Sequence, residues 1–405
     1  MGISTIEHSV VHVPVPVETT MSTPSLPPEI LDLIVGHLCD KTALKTCCIV
    51  SKSWAPRTRA YLFALVDFHP ALSPIEWWMR AFPDPSNSPA HHTRSLRIGA
   101  PSIAISASAG AHATWIRSFY HVVRLTVYTT ADATRSQISL TQLHGLSPIL
   151  ESLALIPSIT LPSEALNLAC SFPFLKDLSL YSNTEDGLGD EWTPPSISPK
   201  FTGTLMLVTG NGIQPYVRRL LDLPGGLRFS GISIRCPDRD AVTIAELVSR
   251  CSETLESLFI FCDASGVFSF ALELADNLPL PMGLGMSITL PPLDLSRATR
   301  LKDVELRWRA QTVQWIARTL QTVRSEHLRQ ITIFIPPSFT KPARAMVHQE
   351  WEDLDHVLVS LQTSRSISLR LKYKWTPEND NPETWMRALL PELASKGTKI
   401  AVVEG

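Results

Sequence analysis

The sequence predicts an α/β chain in two parts: a small three-helix module near the N-terminus, then a solenoid of alternating short parallel strands and helices. Three observations predict it. A proline-led amphipathic stretch near residue 26 precedes two more short helical segments. From residue 91 on, pairs of apolar residues with one residue between them recur at nearly constant spacing. Between several of these pairs lie stretches with helical periodicity.

The bulk composition suits this plan. With roughly 150 residues per domain, 405 residues would make two or three domains. A solenoid escapes that count, because it grows by adding repeats to one continuous core. The hydrophobic fraction of 44% supplies a large core, and 32 prolines punctuate many short elements. Net charge is −2, with no concentration of basic residues of the kind a nucleic-acid partner favours.

Seven cysteines stand at irregular spacing without a C-x-x-C, which argues against a disulfide framework or a zinc knuckle. No secretory segment, membrane-length apolar run or N-x-[ST] sequon occurs. The Met1-Gly2 opening fails as a myristoylation signal at Ile6. The expectation is an intracellular, cytoplasmic or nuclear protein.

Residues 1–24 mix Val, Pro, Ser and Thr without helical period and are expected to be a disordered tail. The helical module follows at 25–68. Its first helix begins at Leu26-Pro27-Pro28-Glu29, with proline and an acid in the first turn as start signals. Ile30, Leu33, Ile34 and Leu38 are spaced to share one helix face. Asp40 is placed to cap a second helix, Lys41 to Val50, in which Leu44, Cys47 and Cys48 share a face. Ser53 opens a third, carrying Trp54, Tyr61, Leu62 and Phe63. Residues 69–90 are expected to be a linker in which Trp77-Trp78 packs the open end of the solenoid.

The solenoid is expected over 91–405. Its apolar pairs are Leu96/Ile98, Leu125/Val127, Leu153/Leu155, Leu178/Leu180, Leu205/Leu207, Ile232/Ile234, Leu258/Ile260, Val304/Leu306, Ile331/Ile333 and Leu369/Leu371. Seven of the nine intervals between them fall from 25 to 29 residues, and the longer two accommodate insertions such as the Gly/Pro-rich stretch at 279–292. Helices are expected over Ala241–Arg250, Thr312–Val323 and Trp351–Thr363. One strand with one helix cannot bury its apolar face alone, so stacked neighbours must share it.

Two resemblances follow. The run Leu26-Pro27-Pro28-Glu29-Ile30-Leu31, then Leu33-Ile34, Leu38 and Leu44, then Val50-Ser51-Lys52-Ser53-Trp54, resembles the F-box family. That resemblance implies docking onto the Skp adaptor of a cullin-RING ubiquitin ligase, through Leu26, Pro27, Ile30, Leu33, Ile34, Leu44, Val50 and Trp54. Leu175-Lys176-Asp177-Leu178-Ser179-Leu180-Tyr181-Ser182-Asn183 resembles a leucine-rich repeat in full. The other units lack its asparagine, so an irregular solenoid is implied. An F-box ahead of irregular leucine-rich repeats is similar to the layout of many fungal F-box proteins.

Chemistry-bearing motifs are scarce. G-x-S-x-G and the P-loop pattern are absent, and Gly283-Leu284-Gly285 lacks the third glycine of a dinucleotide loop. His91-His92 has no metal-ligand company in sequence, and Cys47-Cys48 reads as small apolar residues on a helix face. No enzyme activity, metal, cofactor or membrane is expected.

Side chains alternate along a strand. The solvent face of the repeats is therefore expected to carry Arg97, Arg124, Tyr128, Asp177, Tyr181, Arg235, Phe259, Phe261, Glu305, Arg307 and Phe334. Of these, Arg124, Tyr128, Tyr181, Arg235, Phe259, Phe261 and Arg307 are the candidates for binding an unknown target protein, since Tyr, Arg and Phe are enriched at interfaces. Two roles compete. The chain is either the substrate receptor of a Skp–cullin–F-box ligase, or a scaffolding repeat protein whose first helices cap the solenoid.

Overall fold

The computed structural model describes residues 26–38, 40–50, 52–68, 75–99, 115–128, 140–144, 146–158, 161–182, 192–210, 212–237, 240–262, 291–308, 313–335, 348–364, 367–373, 387, 389–396 and 400–404. The expected tail at 1–24, Gly283–Gly285 and Asn183 lie outside them. The chain divides into two compact units, Met1–Leu62 and Phe63–Gly405.

The described residues of the first unit hold three helices: α1 (Pro28–His37), α2 (Lys41–Val50) and α3 (Ala55–Leu62). Pro28 at the first helical position starts α1 where its missing N–H costs nothing. Asp40 caps α2 as expected, its carboxylate accepting from Ala43 N–H at 2.9 Å. That bond holds the Asp40 carboxyl below the usual carboxylate range.

The interior of this unit is small. Leu31, Val35 and Leu44 are buried, together with Thr58 of α3. Thr58 Oγ1 donates to Trp54 O at 2.9 Å and lies 2.8 Å from Cys48 Sγ. Arg57 of α3 donates to Asp32 of α1 at 2.6 Å. A Cβ at Gly36 would stand 3.2 Å from the Tyr61 hydroxyl, so glycine allows this close approach of α1 and α3.

Among the described residues the second unit is built on one sheet of twelve strands whose spatial order is their chain order, β1 to β12. They are β1 (Leu65–Phe68), β2 (Ser95–Gly99), β3 (Arg124–Tyr128), β4 (Ser152–Ser158), β5 (Asp177–Ser182), β6 (Thr204–Thr209), β7 (Gly231–Cys236), β8 (Ser257–Cys262), β9 (Asp303–Trp308), β10 (Gln330–Ile335), β11 (Ser368–Tyr373) and β12 (Ile400–Glu404). Every neighbouring pair is parallel. Helices occupy several of the returns: α4 (Ile75–Ala81), α5 (Pro162–Cys170), α6 (Gln214–Leu221), α7 (Ala241–Cys251), α8 (Val313–Gln321), α9 (His348–Ser364) and α10 (Pro391–Ser395). Parallel neighbours joined by such returns make a leucine-rich-repeat-like solenoid.

All ten expected apolar pairs are strand residues, buried and in register. Leu125 stands beside Leu96 and Leu153, and Ile260 beside Ile234 and Leu306. The three expected helices appear as α7, α8 and α9.

The boundary between the helical module and the repeats needs correction. β1 falls within 25–68, the span expected for the helical module, yet it pairs with β2 through Val66–Leu96 and Phe68–Ile98. Phe63 likewise belongs to the second unit and not to the third helix. In the expected junction at 69–90, α4 puts Trp78 in the core as expected, whereas Trp77 is exposed to 57%. β12 adds a strand through Ile400 and Val402, which pair with Leu369 and Leu371.

Without a regular asparagine ladder, hydroxyls and carboxylates fasten successive repeats. Ser147 Oγ donates to Tyr120 O at 2.9 Å, Thr254 Oγ1 to Phe229 O at 3.0 Å, and Ser325 Oγ to Leu301 O at 2.7 Å. Asp240 accepts from Ile213 N–H at 3.0 Å. Each closes a backbone group that a turn would otherwise leave buried and unpaired.

The last repeat carries the strongest case. Asp355 of α9 is buried, and its carboxylate accepts from Glu392 N–H at 2.7 Å and Leu393 N–H at 3.0 Å. It caps α10, whose own N-cap residue Leu390 has no capping side chain. Asp355→Ala should leave two N–H groups unpaired at a cost of about 1–3 kcal/mol. The expected result is faster amide exchange at Leu393 with β5–β8 amides unchanged.

Candidate functional site

Two surfaces collect the candidate residues, one in each unit. In the helical unit, α1 is apolar on more of its circumference than its own interior uses. At ~100° per residue, Leu33, Ile30 and Ile34 span roughly 100° of arc, and Leu31 with Val35 form a second stripe beside them. Leu31 and Val35 are buried, whereas Leu26, Ile30, Leu33 and Ile34 are exposed, Leu33 to 60%.

Val50 at the end of α2 is 72% exposed, Pro27 is exposed and Trp54 is half-buried. Leu44 departs from the expected docking set. At 5% exposure it is a core residue, because α2 turns it toward the interior that also buries Thr58. Ile49, exposed to 85%, was not singled out in sequence. Its signal was an apolar residue off the face shared by Leu44 and Cys48.

Cys47 and Cys48 are half-buried, Cys48 with the Thr58 hydroxyl at its sulfur. His91 Nδ1 lies 2.9 Å from Ser88 O, and its ring is tilted against that of His92 with centres 3.9 Å apart. Among the described residues, no group of three or more His, Cys, Asp or Glu side chains is placed to hold a metal ion.

In the repeat unit, the solvent face of the sheet carries the other candidates, and register sorts them into rows. Tyr128 donates from its hydroxyl to Asp67 Oδ1 at 2.8 Å, across two strands. Burial, then that hydrogen bond and the negative charge of Asp67, hold the phenol well above its usual range. Arg97 stands 4.0 Å from the same carboxylate, and Arg124 is exposed at the head of its strand.

Tyr181 donates to Met206 Sδ at 2.9 Å on the next strand. Asp177 is taken up by the fold: its carboxylate accepts from Thr204 N–H at 2.6 Å and fills the space a Cβ at Gly203 would need.

The densest grouping lies on β7–β10. Arg235, Phe261, Arg307 and Phe334 occupy one register row on four consecutive strands. The Arg235 guanidinium carbon is 4.6 Å from the Phe261 ring centre, and that of Arg307 is 4.0 Å from Phe261 and 3.6 Å from Phe334. All three distances are within the range of cation–π attraction. Phe259, two residues before Phe261 and on the same face, is exposed, while Phe334 is buried.

No family model matches the sequence, and no curated protein matches it either. Among solved structures, the chain is similar to the leucine-rich repeat-containing protein LegL7 from Legionella pneumophila, at 14% identity and a TM-score of 0.37, over 81% of this chain and 97% of that one. The solenoid is established by strand order and register. No helix among the described residues is long and apolar enough to cross a membrane.

Proposed function

We propose that this chain is a non-catalytic substrate receptor of a Skp–cullin–F-box ubiquitin ligase. The helical unit docks the Skp adaptor, and the repeat sheet holds a target protein. The observation that carries the reading is the exposed apolar stripe of Ile30, Leu33 and Ile34 on α1, with Leu26 just ahead of it, on a helix whose own interior is served by Leu31 and Val35. Soluble proteins seldom leave contiguous large apolar side chains in water without a partner for them. The stripe coincides with the residues that resemble the F-box start.

Helix-in-groove docking supplies the physical mode, with anchors at i, i+3 and i+4. No bond is made or broken on this chain. Binding two proteins at once raises the target's effective concentration at the ligase. Co-purification tests the reading: the wild-type chain should retain the Skp adaptor and the Ile30→Asp/Ile34→Asp variant should lose it. Equal retention by both refutes adaptor docking through α1.

A further inference from the structure

Seven serines or threonines stand directly before a proline: Thr23, Ser73, Ser88, Ser147, Thr193, Ser198 and Thr376. Four of them, Ser88, Ser147, Thr193 and Ser198, fall among the described residues. The fold uses three of these hydroxyls. Ser88 is buried, and its oxygen accepts from Ala90 N–H at 3.1 Å. Ser147 is buried and donates to Tyr120 O at 2.9 Å. Ser198 Oγ accepts from Gly225 N–H at 3.1 Å, and a Cβ at Gly225 would stand only 2.6 Å from it. A phosphoryl group on any of the three would break that bond and displace packed neighbours.

Thr193 is the exception. It is exposed, as are Pro194, Ser196 and Ile197, the last to 78%. Its hydroxyl enters no hydrogen bond among the described residues. The stretch 192–203, in the return from β5 to β6, is neither helix nor strand. Both its ends are fastened. Trp192 Nε1 donates to Asn167 Oδ1 of α5 at 2.9 Å and its ring packs on the core, while Pro199 and Phe201 are buried. Thr193, Pro194, Ser196 and Ile197 therefore face solvent between two anchors.

We infer that Thr193 is a phosphorylation site for a proline-directed protein kinase. Phosphoryl transfer depends on holding the acceptor oxygen in line with the γ-phosphorus of ATP, so the backbone on both sides of the acceptor must enter the kinase cleft. A helix or a sheet strand commits its backbone groups to its own hydrogen bonds, whereas an exposed irregular segment leaves them accessible. Pro194 supplies the rest of the recognition. It lacks an N–H, its φ is fixed at about −65°, and it biases Thr193 toward extended backbone. The Thr193 oxygen attacks the γ-phosphorus, the bond to the β–γ bridging oxygen breaks, ADP leaves, and the hydroxyl proton passes to the kinase's catalytic aspartate. The product adds a charge of about −1.5 to −2 at neutral pH, close to doubling the chain's net −2.

The test uses the full chain carrying Thr23→Ala, Ser73→Ala and Thr376→Ala, which leaves only the four described dipeptides. The probe is an active mitogen-activated protein kinase with magnesium and ATP, read by phosphopeptide mass spectrometry. On the folded chain, Thr193 should be phosphorylated while Ser88, Ser147 and Ser198 are not. Thr193→Ala should remove that phosphate and Thr193→Ser should restore it. Pro194→Ala should slow its addition at least roughly tenfold, the discrimination a shaped pocket commonly gives. Unchanged circular dichroism would show that each variant is folded. The inference is overturned by absence of phosphate on Thr193, by equal incorporation in the Pro194→Ala variant, or by labelling of Ser88, Ser147 or Ser198 in the folded chain as fast as Thr193. Adaptor retention plays no part in these outcomes.

Discussion

Replacing Ile30 and Ile34 together by aspartate is expected to abolish capture of the Skp adaptor while leaving the helical unit folded. Ile30 at 41% exposure and Ile34 at 36% lie at the rim of the interior, which is formed by Leu31, Val35, Leu44 and Thr58. The substitutions leave that interior's packing intact. Docking would lose two aliphatic anchors, and burial of the roughly two-fifths of each side chain that is exposed would contribute about 0.6–1.2 kcal/mol apiece. It would also place two carboxylates against apolar surface, a further penalty.

The anchors alone imply roughly a tenfold loss, at 1.4 kcal/mol per factor of ten, and the two charges pressed against apolar surface deepen it. The complementary variant is Leu31→Ala, which empties the interior. It should lower the helical content of the unit by circular dichroism, and weaken adaptor capture only as far as the unit unfolds. A charge pair that destroys helix content as fully as Leu31→Ala would show that the stripe is structural.

Trp78→Ala is expected to be the most damaging single change at the β1 side of the repeat unit. The Trp78 ring meets four others: Phe63 and Phe68 edge-on at 5.8 and 5.7 Å, and Phe82 and Phe119 tilted at 4.9 and 5.6 Å. Removing it costs the transfer energy of the indole plus that of the cavity, about 3–5 kcal/mol. The aromatic contacts make the upper half of that range the better expectation.

Trp78→Phe should cost far less. It keeps a ring in the cluster, and the indole N–H has no hydrogen-bond partner among the described residues. In a solenoid each repeat leans on its neighbours, so the damage should begin at β1–β3 and reach β9–β12 last. Hydrogen exchange during mild urea titration reads this out. Uniform loss of protection along the sheet would contradict it.

The repeats were largely legible because a parallel strand buried on one face writes its period into the chain. Leu125-Thr126-Val127 and Ile331-Thr332-Ile333 announce strands by alternation alone, and constant spacing reveals that they stack. β1 escaped for a local reason. Leu65-Val66-Asp67-Phe68 follows closely on the third helix, and four residues of alternation were absorbed into the span of the helical module. The packing of Trp78 was legible but the helix α4 was not, for its aromatic partners lie up to 41 positions away, such as Phe119.

Local sequence determined the helix starts, the Asp40 cap, the alternation of the strands and hence the solenoid, since these depend on neighbours a few residues apart. It also marked α1 as apolar. Tertiary structure alone decided which of two apolar stripes on that helix is interior and which remains exposed, and that Leu44 is core. It likewise decided that Arg235, Phe261, Arg307 and Phe334 form one row. Those four residues are separated in the chain by 26 or more positions at each step, and they meet only because parallel register sets equivalent positions of successive repeats side by side, about 4.8 Å apart.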